Sequence, residues 1–264
     1  MIKKSTAITL AFLNLAAFLA TVVVNALSAL LPINGLDPGE ISDLYPNLFV
    51  PSGLTFSIWS LIYILLLIFV VYGLVSSFRS SSGQAGFMGK MGILFFLSSL
   101  FNIGWIFFWH YRLVWASLLM MAALFITLLL IYLRLGIGRS QAGAKERGLV
   151  HIPFSVYLGW ITIATIANVT AFLVDTGWDR FGLSEQFWAV LVIAVGIAIG
   201  LSVLFSRNDI YYSLVVDWAI LGILLKRLAD TSTEAQAVAV TAIAGLSVIT
   251  LGILAQLIRK KILY

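Results

Sequence analysis

Apolar runs of about 20 residues recur along this chain, separated by short polar stretches that hold almost all of its charge. Eight such runs can be read, at approximately 7–31, 51–77, 91–110, 113–134, 150–174, 186–206, 210–228 and 235–258. At about 1.5 Å per residue, each is long enough to cross about 30 Å of hydrocarbon as a helix. The seventh is the weakest, being short and interrupted by Asp217. Three runs carry a finer pattern, with aromatic and amide residues three and four positions apart. These are Phe56, Trp59 and Tyr63 in the second run and Asn102, Trp105 and Trp109 in the third. In the fifth they are Tyr157, Trp160, Ala164 and Asn168. That spacing places each set on one face of a helix. Buried amides need partners, so the three faces are expected to turn inward as the walls of one pocket.

The composition fits this pattern. Charged residues make up 10% of the chain, against about 25% in a soluble domain. In lipid every backbone amide must be paired within the protein, which leaves long apolar runs to form helices. The expected fold class is therefore all-α, a polytopic transmembrane helical bundle. There is no cysteine, which excludes disulfides and thiol chemistry. A net charge of +5 raises the question of nucleic acid, but no basic run is interleaved with exposed aromatics, so that partner is set aside.

The basic residues follow topology instead. With the N-terminus inside, Arg112, Arg180, Lys226 and Arg227 lie outside and the other 12 of the 16 Lys and Arg lie inside. Both termini are thus expected in the cytoplasm, with a bacterial inner membrane as the default location. The Lys226–Arg227 pair runs against this count locally. Met1–Lys4 and the run after it imitate a signal peptide, but the run continues to Leu31 before Pro32. That exceeds the roughly 7–15 apolar residues of such a leader, so the segment reads as an uncleaved first helix.

Two polar segments stand out. Residues 32–50 carry Asp37, Glu40 and Asp43, no basic residue, and three prolines, Pro32, Pro38 and Pro46. A connection this long is unusual in a bundle and is expected to form a lid over the outer mouth. Residues 76–90 read as a Ser/Gly-rich mobile linker on the inner side.

Several single residues suit plainer roles as well as functional ones. Asn102 and Asn168 suit interhelical hydrogen bonds, worth about 0.6–2 kcal/mol in membranes, as well as ligand contact. Asn14 and Asn25 are similar. Trp115, Trp178 and Trp188 lie near run ends, where tryptophan anchors to the interface. Asp217 is the one acidic residue inside a run, where a carboxylate costs about 2.5–3.5 kcal/mol to insert. It reads either as a coupling residue or as a paired or protonated group. His110 and His151 flank runs at opposite membrane faces and suggest no metal site. Gly196 and Gly200 form a GxxxG pair that permits close helix contact, with a homodimer as a weaker implication. Residues 130–134 match the loose sterol-binding pattern, which is discounted. No phosphate-binding loop, dinucleotide fingerprint or catalytic triad order is present.

The second run, PSGLTFSIWSLIYILL, resembles the second-helix signature of the TspO/MBR family, the translocator proteins and tryptophan-rich sensory proteins. Pro51, Phe56, Trp59 and Tyr63 occupy its places. FNIGWIFFW is similar to the family's Asn-x-x-Trp segment through Asn102 and Trp105. YLGWITIATIAN resembles its Tyr-x-x-Trp segment, ending in Ala164 and Asn168. Val156 stands where the family usually has proline, and no basic residue follows Asn168 before Arg180, so the sterol motif of animal members is absent. The resemblance covers about residues 7–175. It implies a five-helix core over 1–176, with 177–264 as a three-helix transmembrane extension. It also implies a pocket between helices two, three and five that binds a porphyrin or heme, or a similar planar hydrophobic ligand. No further cofactor is expected, and membrane lipids are the other partners. A small secondary transporter coupled through Asp217 is the alternative, and porphyrin degradation a lesser one.

Overall fold

The computed structural model describes residues 2–31, 33–79 and 86–259. Pro32, most of the Ser/Gly-rich stretch at 80–85, Lys260 and Lys261 lie outside the described residues. Eight long helices run through the rest: α1 (Lys4–Leu30), α2 (Ile58–Arg79), α3 (Leu94–His110), α4 (Val114–Leu135), α5 (Ile152–Asp175), α6 (Glu185–Arg207), α7 (Ile210–Leu228) and α8 (Thr233–Ile258). They match the eight apolar runs closely. The main departure is at α2, which is preceded by a 3-10 turn at Gly53–Ser57.

Six of these helices, counting α2 with its leading turn, are long and apolar enough to cross a membrane. Leu94–His110 is a shorter apolar helix, and α7 carries Asp217, Lys226 and Arg227. Large apolar side chains such as Ile64, Trp115, Val240 and Leu251 are exposed on the outside of the bundle, as lipid contact requires. The chain is an integral, multi-pass helical membrane protein.

Helix α1 contacts α2 and α3, α3 contacts α4, α4 contacts α5, and α5 contacts α2. These five form a closed ring. Apart from Phe18, the face of α1 toward it is made of small and polar residues, Ala7, Ala11, Asn14, Ala17 and Thr21 among them, which lets the backbones come close. Helices α6, α7 and α8 pack on one another, and α7 docks on α5. At that contact a Cβ on Gly159 would stand 3.0 Å from the Tyr212 carbonyl oxygen. The GxxxG face is used up inside the chain, because Gly196 lies against Ile163 and Gly200 against Val216. The motif therefore gives no support to a homodimer.

Two connections are more ordered than the sequence suggests. The segment read as a mobile linker is partly helical: residues 76–79 end α2, and Gly86–Met91 is a short helix. Its Phe87 stacks on Tyr72 at 5.6 Å, and Met91 is fully buried. Apolar anchoring outweighs the Ser/Gly composition there. Ahead of α5, a π turn spans Arg147–His151. Pro153 follows it, in the first turn of α5.

Candidate ligand-binding site

Trp59 is the hub of the bundle's aromatic core. It stacks on Tyr63 at 5.6 Å and on Trp105 at 6.1 Å, and it meets the edges of Tyr157 and Trp160 at 6.0 and 6.2 Å. Trp105 stacks in turn on Trp109 at 6.2 Å, and Phe56 meets Trp160 at 6.0 Å. Each such pair adds about 0.5–1.5 kcal/mol beyond its buried area. The three faces read from residue spacing therefore converge, as an aromatic wall shared by α2, α3 and α5.

The wall encloses a cavity of about 50 Å³. Phe56, Trp59, Trp105, Trp109, Trp160, Ala164 and Asn168 all line it. Tyr63, Asn102 and Tyr157 do not. Tyr63 lines a larger groove of about 600 Å³ between α1 and α2, whose rim carries Asp37, Glu40 and Asp43. Asn102 is fully buried and bridges three helices: its Oδ1 accepts from Asn25 Nδ2 at 2.8 Å, and its Nδ2 donates to the Tyr157 hydroxyl at 3.2 Å. Asn168 both lines the cavity and accepts from Ser117 Oγ at 3.3 Å. Asn14 differs from Asn25, since both its side-chain polar atoms are buried without a partner among the described residues. The indole N–H groups of Trp105 and Trp160 are likewise buried without an acceptor.

Residues that line the cavity were also missed in the sequence. Phe49 comes from the long first loop, Met121 from α4, and Ala219 and Ile223 from α7, beside Pro51 of the second-run signature. Helix α7 further holds the turn before Trp59, because Trp218 Nε1 donates to the Thr55 carbonyl oxygen at 3.0 Å and Ser52 N to that of Gly222 at 2.9 Å.

The first loop is folded as a lid. Pro38–Asp43 forms a short helix with a complete capping box, in which Asp37 accepts from the Gly39 and Glu40 amides and Glu40 accepts from the Asp37 amide. Ile41, Tyr45 and Phe49 are buried beneath it. Its fastenings come from several helices. Trp109 Nε1 donates to the Pro38 carbonyl oxygen at 3.2 Å, and Asn34 Nδ2 to that of His110 at 3.0 Å. The Leu48 amide donates to Glu185 Oε1 at 2.7 Å, and Lys226 is paired with Asp43. Arg227 is paired with Asp230 at 3.5 Å, so both basic residues that broke the charge count have carboxylate partners.

Near the same end, Trp178 and Trp188 meet at 4.8 Å and Trp115 is exposed, as interfacial anchors would be. Asp217 does not line the cavity; its Oδ2 accepts from Thr250 Oγ1 at 2.9 Å on α8. The most buried carboxylate is instead Asp209, between α6 and α7. It accepts from the Tyr132 hydroxyl at 2.7 Å, Ser155 Oγ at 2.6 Å and the Tyr212 amide at 3.1 Å. Burial pushes its carboxyl above the ordinary carboxylate range, with the hydrogen bonds from Ser155 and Tyr132 opposing that. No group of three or more His, Cys, Asp or Glu able to hold a metal is found among the described residues.

The family described as TSPO-like protein matches residues 11–255. The chain belongs to the TSPO-like family. The match runs past the five-helix ring through α6 and α7 and most of α8, beyond the 7–175 covered by the motif resemblance. Comparison with curated proteins and with solved structures returns no match.

Proposed function

We propose that this TSPO-like chain is a sensory or binding protein that holds a flat hydrophobic ligand between α2, α3 and α5. The ligand class is a tetrapyrrole, such as protoporphyrin IX or heme. The observation that carries this reading is the pair Trp105 and Trp160, two buried indole N–H donors without acceptors on the walls of an aromatic cavity. Each orphaned donor costs about 1–3 kcal/mol, which a ligand acceptor would recover. Indole faces supply the apolar contact that a planar ring needs.

The cavity as it stands has room for one or two waters, given about 30 Å³ per water. Ligand pockets span about 300–1,000 Å³. Binding therefore requires movement. Phe56 and Trp59 line both the cavity and the groove of about 600 Å³, so a swing of these two rings would merge them into a space of ligand size. In this reading residues 1–176 form the core and 177–264 an extension that completes its wall through Ala219 and Ile223. The inside-positive charge bias supports cytoplasmic termini, with a bacterial inner membrane as the default location.

The test is a titration of purified protein with protoporphyrin IX, followed by the shift of its main absorption band. Ala164→Phe, which fills the cavity, is expected to weaken binding about tenfold or more, equivalent to about 1.4 kcal/mol. Unchanged affinity in that variant would refute the assignment.

A further inference from the structure

A second compartment lies beside the aromatic cavity, and it exists because the chain continues past α5. Helix α6 packs on α7 and α8 rather than closely along α5, which leaves a gap between the end of α5 and the start of α6. The gap holds a pocket of about 280 Å³. Its walls are Leu173 and Val174 of α5, Ala189 and Val192 of α6, and the lid segment Pro46–Phe49. Trp178 and Trp188 stand at its mouth, with Trp188 Nε1 held by the Arg180 carbonyl oxygen at 2.9 Å. The polar rim is the Arg180–Glu185 pair, at 3.4 Å.

One residue, Phe49, lines both this pocket and the aromatic cavity. It is 3% exposed, and local bonds fix its backbone. Its amide donates to Asn47 Oδ1 at 3.0 Å, and the preceding Leu48 amide is held by Glu185 of α6 at 2.7 Å. A phenyl ring on a short, tethered segment between two spaces can rotate without unfolding any helix.

We propose that the pocket between α5 and α6 is an antechamber of the aromatic cavity, with Phe49 as the gate between them. It receives a flat aromatic ligand whose polar edge stays at the Arg180–Glu185 rim, and rotation of Phe49 admits that ligand to the indole wall. Glu185 sets the gate by holding the lid segment against α6. The ligand class rests on the binding reading above, but the route does not.

The absence of cysteine from the sequence makes the route testable without a ligand. Ala164→Cys places one thiol in the cavity, and its modification by a small neutral methanethiosulfonate is timed by mass spectrometry. Adding Phe49→Ala is expected to speed modification about tenfold, as the open population rises. Adding Val192→Trp, which fills the antechamber, is expected to reverse that gain. Should Phe49→Ala fail to fold, Phe49→Leu is expected to give a smaller acceleration, again reversed by Val192→Trp. A rate indifferent to Phe49 would overturn the gate. An acceleration that survives Val192→Trp would also overturn it, by showing entry from the groove between α1 and α2. A protein that binds no porphyrin yet shows the gated pattern would refute the ligand class and leave the route standing.

Discussion

Replacing Gly222 with alanine puts a methyl group where Thr55 already sits. A Cβ on Gly222 would stand 1.9 Å from Thr55 Oγ1 and 2.8 Å from its Cβ, whereas non-bonded carbons settle at about 3.5–4.0 Å. Rotating the Thr55 side chain moves Oγ1 but leaves its Cβ too close, so the backbone of the Gly53–Ser57 turn must retreat. Two hydrogen bonds tie that turn to α7, from Ser52 to the Gly222 carbonyl and from Trp218 to that of Thr55. Overpacking costs about 1–3 kcal/mol, and each bond lost adds about 1 kcal/mol. Gly222→Ala should therefore destabilise the protein by about 2–5 kcal/mol in detergent unfolding. Because the turn leads directly into Phe56 and Trp59, ligand affinity should fall with stability. Thr55→Gly removes the obstructing side chain, so the double variant should be more stable than the two single effects predict. A Gly222→Ala protein within about 0.5 kcal/mol of the parent would refute the close approach between α7 and the pocket wall.

Tyr132→Phe removes one donor from the buried Asp209 carboxylate and should cost about 1.5–3 kcal/mol, measured by detergent unfolding; no loss would mean the bond contributes nothing. Burial raises the Asp209 pKa above its ordinary 3.8, so folding favours the protonated form. That contribution is fully present below the unfolded value and is lost as pH rises through the folded one. Stability of the parent should thus decline with rising pH above about 4 more steeply than that of Asp209→Asn, and parallel profiles would contradict the assignment. Lys226→Ala breaks a partly exposed ion pair to Asp43, so it should change stability by only about 0.2–1 kcal/mol, yet speed porphyrin association by loosening the lid. Equal association rates in stopped flow would count against that latch. Asp217→Asn changes a side chain that meets Thr250 of α8 and does not line the cavity, so it should leave porphyrin affinity within about twofold, and a larger loss would revive a coupling role for this residue.

The eight helices were legible because hydrocarbon imposes length and apolarity on each span. The helix faces of the pocket were legible too, since spacings of three and four residues define a face. Depth along a face was not. Tyr157 lies one turn from Trp160, about 4.5 Å along the axis, and there it meets Asn102 rather than the cavity. Trp59 lines both cavity and groove, whereas Tyr63, one turn further on, lines the groove alone. The lid's helix start was written in Asp37–Pro38–Gly39–Glu40, a capping signature with proline in the first turn. Its docking was not, because Glu185 and Lys226 lie more than a hundred residues away in sequence. Asp209 went unnoticed for a related reason. It falls between two apolar runs and reads as a solvated turn, and only the packing of Tyr132 and Ser155 against it reveals a buried carboxyl group. Ala219 and Ile223 carry no chemical signature, so nothing in α7 marks it as part of the wall.

The central claim is that the indole wall of α2, α3 and α5 binds a planar ligand. Tryptophan-fluorescence quenching by protoporphyrin IX tests it most directly, comparing the parent with Trp160→Ala and correcting inner-filter loss against free tryptophan. The account predicts saturable quenching in the parent, with affinity about tenfold or more weaker in the variant. Linear, unsaturable quenching of equal slope in both proteins would contradict it.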